Sequence, residues 1–298
     1  MKKKLSTIIL VFIILVGFSL LLYPTVSDYW NSKVQSKAIA KYEDVVEQLD
    51  EEDYEQVLNN AREYNAKLAD KDGDFKLTAD ENDDYYSQLS VTDDGLMSYI
   101  EIPSINVKLP VYHGTDDNEL NVGVGHIPGS SLPVGGSSTH CVLLAHRGLP
   151  SARLFTDLDK VTVGDIFTIT TLNEKLTYQV DQILITDPED LSALGIVKGK
   201  DYCTLVTCTP YGVNTQRLLV RGHRIENIEE SDILYVEAEA KQIKPIVVAP
   251  FAAIPIIIAM MVFLRNSSDE DEDDYDYRYD IDGNEHNERI DEENRKGG

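Results

Sequence analysis

The sequence predicts a mainly β protein: a closed or nearly closed, antiparallel-rich barrel carried on an N-terminal helical stem and held by two transmembrane helices. Three observations predict it. After Met97, seven short segments alternate apolar and polar residues, with Pro and Gly in most of the gaps. Residues 33–68 instead carry a helical period. Two uncharged runs of 19 residues, Leu5–Tyr23 and Ile246–Leu264, each nearly match a hydrocarbon core of about 30 Å when helical.

The first run follows Lys2-Lys3-Lys4. Its length exceeds the 7 to 15 apolar residues usual in a secretory signal, and Thr25-Val26-Ser27 is a weak cleavage match, so residues 1–23 read as an uncleaved anchor. Basic residues before it place the N-terminus inside. A stem at 24–70 follows. Val34, Ala38, Tyr42, Val45 and Leu49 share one helical face, and Tyr54, Val57, Ala61, Tyr64 and Leu68 repeat the pattern after an acidic break at Asp50–Asp53. Two amphipathic helices are expected. Residues 71–97, rich in Asp, Gly and Asn, read as an acidic loop or linker.

The expected strands are Tyr99–Ile102, Val107–Val111, Cys141–His146, Asp165–Thr170, Leu176–Ile185, Tyr202–Cys208 and Arg217–Ile225, which place the barrel at 98–226. A connector at 227–245 leads to the second span at 246–264, where Pro250 and Pro255 would kink a helix that a bilayer tolerates. Residues 265–298 form an acidic tail with 14 acids against 4 bases from Ser267 onward, a composition of disorder. Two spans return this tail to the cytoplasm and leave the segment between them outside the cell membrane.

Composition excludes some functions. Of 298 residues, 27 are Lys or Arg and 52 Asp or Glu, and the net charge of −25 repels a phosphate backbone, so no nucleic acid is expected as partner. Three cysteines cannot form a disulfide framework. No metal cluster or phosphate-cradling glycine loop appears, and neither metal nor cofactor is expected.

The chemistry concentrates at Tyr202–Thr215. Cys203 and Cys208 lie an odd five residues apart and face opposite sides of one strand. Cys203 reads as a buried apolar residue, whereas Cys208 ends the strand where a Pro, Gly and Asn loop begins, which makes Cys208 the candidate nucleophile. A hairpin through 209–215 pairs Arg217 with Cys208 and leaves Arg221 about 13 Å further along. A guanidinium there would favour a thiolate and hold an oxyanion, the alternative being a plain surface arginine on an edge strand. Of the six histidines, His146 leads into the loop Arg147-Gly148-Leu149-Pro150 and is preferred as the acid and base. His140 reads as solvated or capping, and His113 and His126, near turn glycines, as structural.

Thr204-Leu205-Val206-Thr207-Cys208 resembles the TLxTC signature of sortases, the membrane-anchored transpeptidases of Gram-positive bacteria. Its continuation through Thr209–Gly222, with Ala145–Leu158 and Ile105–Thr115, is similar to class C, the pilin-polymerising branch. The resemblance spans roughly residues 98–225 and implies an eight-stranded barrel with His146, Cys208 and Arg217 at the three catalytic positions. Gln216 stands where class C sequences often carry His. The implied activity cleaves an LPxTG-like sorting signal between Thr and Gly and joins the acyl group to a lysine amine of a pilin subunit. A housekeeping sortase acting on peptidoglycan and a non-catalytic surface or pilus scaffold are the alternatives. The resemblance also implies a lid in residues 71–97, where class C carries Asp-Pro-aromatic and this chain has Asp72-Gly73-Asp74-Phe75. Asp74 would face Arg217 and Phe75 would shield Cys208, in a lid loosened by the missing proline.

Overall fold

The computed structural model describes residues 2–69 and 75–227. The expected second span, the acidic tail and Asp74 lie outside the described residues.

The first helix, α1, covers Lys2–Glu47 and contains Pro24. It holds a stretch, Val11–Glu47, long and apolar enough to cross a membrane. α2, Glu51–Ala69, starts on Glu51, Glu52 and Asp53, three carboxylates that suit the positive end of a helix dipole. The acidic break expected at 50–53 is therefore the start of α2.

The stretch expected to be a loop contains a further helix, α3, at Ala79–Ser87. Thr78 and Glu81 form a reciprocal capping box at its start. The S/T-x-x-E signal was present in the sequence, hidden within a polar composition. Tyr85 on α3 is fully buried, and desolvation raises its phenol well above the usual range.

Eight strands follow: β1 Leu96–Ile102, β2 Val107–His113, β3 Val124–His126, β4 Thr139–Leu144, β5 Ile166–Thr171, β6 Glu174–Thr186, β7 Asp201–Thr209 and β8 Gln216–Ile225. They close a barrel in the order β1-β2-β3-β4-β7-β8-β6-β5. Two contacts are parallel, β2 with β3 and β4 with β7, and the others antiparallel. Seven strands were legible by alternation; β3 was not, because three residues, one a glycine, cannot display a period.

Inside the barrel Cys203, Leu205, Val220, Leu143 and Ile169 are buried, and Phe167 stacks on Tyr178 at 5.5 Å. Gly222 is required here, since a Cβ would come within 2.7 Å of the Phe167 ring. The stem is bonded to this barrel. The Tyr42 hydroxyl donates to Met97 O at 2.8 Å and accepts from Leu172 N at 2.8 Å, and burial raises its pKa. Asn65 exchanges two hydrogen bonds with the Leu132 backbone, at 2.7 and 3.1 Å. Both clamps satisfy polar groups that burial would otherwise leave unpaired.

Candidate active site

Residues directly opposite in a ladder share a face, so the register defines the outer surface of the sheet. Thr204 pairs with Arg221, Val206 with Leu219 and Cys208 with Arg217 across β7 and β8. On β6, Gln182, Leu184 and Thr186 continue the same three rows. On β4, Val142 and Leu144 lie level with Thr204 and Val206. These residues floor a groove outside the barrel, about 13 Å long from Thr204 to Cys208. Its middle is apolar: Val142, Val206, Leu219 and Leu194 form a buried cluster against which Leu144, Leu184, Ala193 and Phe75 pack. At the far end a shallow dimple is lined by Gln182, Leu184, Ala193, Thr204, Leu219 and Arg221.

Cys208 is half-buried at the near end of this groove, while Cys141 and Cys203 are fully enclosed. Burial, and then the adjacent Cys141, push the Cys203 thiol well above its usual range, which keeps it protonated and inert. The opposite faces expected for Cys203 and Cys208 are observed.

His146 lies two residues past the end of β4, not within the strand. Ala145 continues the pairing into this exit: its N–H donates to Val206 O at 3.1 Å, and the Thr207 hydroxyl donates to Ala145 O at 2.8 Å. The ladder ends with Leu144 opposite Val206, so His146 follows in the exit loop from the end of the sheet where Cys208 lies. Behind it, Phe155 N donates to His146 O at 3.1 Å and closes the loop.

Arg217 is the cross-strand partner of Cys208, and its guanidinium donates to Gln216 O at 3.1 Å and Asn214 O at 3.4 Å. Arg221 faces the same way but forms a two-pronged pair with Asp181, at 2.9 and 3.1 Å, over the Tyr202 ring. The sequence-level separation of the two arginines therefore stands.

The expectation for His140 is corrected. It is buried, with Nδ1 2.9 Å from Gly195 O and Nε2 2.7 Å from the Thr204 hydroxyl, tying the β6–β7 loop to the groove floor. Desolvation lowers its pKa, and the Arg221 charge lowers it further. Its side chain lies on the outer face of the sheet, where the β6–β7 loop folds over it and excludes water. His113 and His126 are structural as expected: His113 bonds Gly95 O and Gln88 O, and His126 bonds Tyr85 and Ser131 O.

Sequence reasoning gave no role to Arg147. Its side chain, 8% exposed, forms an ion pair with Asp159 and donates to the Thr209 hydroxyl at 3.2 Å, so it links the loop after His146 to the residue after Cys208. Tyr211 covers that loop at Gly148, where φ is +79° and a Cβ would meet the ring at 3.0 Å. The position of Arg147 beside His146 was visible; its partners, 12 and 62 residues away, were not.

Of the two lid positions, Phe75 lies on the apolar floor, and its backbone passes so near Gly129 that a Cβ there would approach Phe75 O within 2.6 Å. Among the described residues no group of three or more His, Cys, Asp or Glu is placed to hold a metal ion. The arrangement suits covalent acyl transfer: a thiol at the end of a peptide-sized groove, a histidine in the loop leaving the same end of the sheet and a guanidinium one strand away.

Comparison with known proteins agrees with this chemistry. The family model for the sortase domain matches residues 100–225. Sortase D of Bacillus subtilis is 30% identical over 129 residues, which are 42% of this chain and 62% of that protein. Sortase A of Streptococcus agalactiae is 29% identical over 126 residues, covering 41% of this chain and 50% of that protein. The matches thus span between half and two thirds of these two curated relatives. Among solved structures, sortase C1 of Streptococcus agalactiae is 57% identical with a TM-score of 0.63, covering 64% of this chain and all of that one (100%). A Clostridium perfringens sortase C with the C-terminal cell wall sorting motif is 41% identical with a TM-score of 0.58, covering 64% and 100%. A lid mutant of sortase A from Corynebacterium diphtheriae is 42% identical with a TM-score of 0.55, covering 60% and 96%.

Proposed function

The chain belongs to the sortase family of cysteine transpeptidases, and on that premise we propose that it is a class C enzyme that joins pilin subunits covalently. The observation that carries this reading is the pairing of Cys208 with Arg217 at the end of the groove, on the side where β4 runs out toward His146. Identity of 57% to a sortase C1 over that protein's whole length supports the class.

In the proposed reaction an LPxTG-like signal lies extended along the groove. The Cys208 thiolate attacks the Thr carbonyl carbon, and negative charge collects on the carbonyl oxygen. Arg217 N–H groups face that oxygen or the signal's backbone, with the guanidinium plane already fixed by Gln216 O and Asn214 O. Collapse breaks the Thr–Gly bond as His146 protonates the departing amine, leaving a thioester. A lysine amine of a second pilin then attacks the thioester and gives its proton to His146. An isopeptide bond forms and the carbon–sulfur bond breaks, returning the Cys208 thiolate and the imidazolium. Arg147 holds the His146 loop to Thr209 during both steps.

Phe75 acts in this reading as part of a lid: it lies on the groove floor that the signal must occupy, and Asp74, the second lid residue, would face Arg217. A catalytic domain outside the cell and a tail returned to the cytoplasm by the second span complete the topology, supported by Lys2-Lys3-Lys4 before the first run.

Incubation with a sorting-signal peptide and a pilin lysine donor should give a thioester on Cys208, detected by mass, and a covalent ladder. Cys208→Ala should abolish both, whereas Cys203→Ala should retain them at a stability cost of about 1–2 kcal/mol. A ladder formed by Cys208→Ala would overturn the assignment.

A further inference from the structure

The anchor helix changes character midway. Leu20, Leu21, Tyr23, Val26, Tyr29 and Trp30 are exposed, Trp30 at 69%, although all are large and apolar. From Gln35, which is 8% exposed, the helix packs on the catalytic domain through Ile39, Tyr42 and Val46. Three hydrogen bonds mark the change. Asp28 accepts from Arg153 N at 2.9 Å, Asn31 donates to Ser151 O at 2.8 Å and Gln35 donates to Val122 O at 3.0 Å. Two of them grip the loop that follows His146.

Helical rise sets this grip against the bilayer. Asp28 lies five residues past Tyr23, about 7.5 Å, while the polar layer outside the hydrocarbon is about 5–7.5 Å deep on each side. Tyr29 and Trp30 leave the helix about 9 and 10.5 Å past Tyr23, just above that layer, and helical side chains lean toward the N-terminus, so their rings reach back to headgroup level, where amphipathic aromatic rings are favoured. Arg153 projects from the gripped loop and Lys160 from the helical turn after it, both more than half exposed and paired with Asp157.

We propose that the loop after His146, residues 148–153, is a lipid-facing surface: Tyr29 and Trp30 lie in the headgroup layer, and Asp28 and Asn31 seat the loop on the outer leaflet. This rests on reading α1 as membrane-spanning, not on the class of reaction catalysed. The active site is then presented at the membrane surface instead of on a free tether. A substrate still retained in the same leaflet meets it at a raised effective concentration.

Trp30, the only tryptophan of the chain, reports its own depth. The full-length protein is placed in mixed phosphatidylcholine and phosphatidylglycerol vesicles carrying nitroxide at the headgroup, at carbon 5 or at carbon 12. Headgroup and carbon-5 nitroxides should quench Trp30 about threefold more than carbon 12, as an interfacial ring requires. For the loop, a polarity-sensitive dye is attached at Arg153→Cys, or at Ser151→Cys if the first fails to fold, in a Cys208→Ala background with Cys141 and Cys203 buried. Its emission should shift to the blue in vesicles relative to detergent-free soluble protein lacking residues 1–27, and Asp28→Ala with Asn31→Ala should reverse the shift. Deep or absent quenching of Trp30 overturns the proposal. So does a shallow Trp30 with a dye that stays in water. Because Cys208 is absent from the labelled protein, neither result depends on turnover, and loss of pilin joining in the native enzyme would count against the proposed function alone.

Discussion

Cys208 and Arg217 are direct partners across the β7–β8 ladder, so the hairpin alone fixes the cation beside the thiol. Cβ atoms in such pairs lie about 4.5–5.5 Å apart. The pairing needs no tertiary contact beyond the hairpin, and the rest of the site is assembled around it.

Arg217→Lys should reduce kcat/KM by at least about tenfold, because an ammonium cannot reproduce a planar fork held by two backbone carbonyls. Steady-state assay with a sorting-signal peptide checks this. Near-normal turnover would reduce Arg217 to a source of charge.

His140 on β4 and His146 just past it should separate cleanly. His146→Ala is expected to abolish turnover with an unchanged melting temperature. His140→Ala removes the partner of Gly195 O and the Thr204 hydroxyl and should cost about 1–3 kcal/mol of stability, with the folded fraction still active. The reverse pattern in paired assays and thermal melts would refute the assignment.

Acid should destabilise the fold through His113 and His140. Desolvation depresses both folded-state values below that of the unfolded chain, near 6.5, so the unfolded state binds more protons as pH falls. The stability they contribute is complete above about pH 6.5 and is lost as pH drops toward the folded values. Denaturant titrations from neutral pH downward should show this slope, and His140→Asn should flatten part of it.

Changing Asp74 and Phe75 together to Ala should accelerate thiol labelling of Cys208 by about threefold or more, since Phe75 covers apolar floor and Cys141 and Cys203 are buried from the reagent. An unchanged rate in a folded protein would make residues 71–75 a plain linker.

The legible part of this protein is local. Alternation separated Cys203 from Cys208, a short hairpin paired Cys208 with Arg217, and an acidic break between two apolar helical faces located the start of α2. Each signal lies within about a dozen residues, the range over which period and turn chemistry act. Tertiary structure decided the remainder. The parallel β4–β7 contact sets Leu144, two residues before His146, opposite Val206, two residues before Cys208, across 62 residues of chain, a register that no local pattern encodes. His140 became a buried tether, not a solvated residue, because the β6–β7 loop folds over it, and Arg147 found Asp159 and Thr209 only through the closed barrel. Burial depends on what covers a face, and in this chain the covering segments come from far along the sequence.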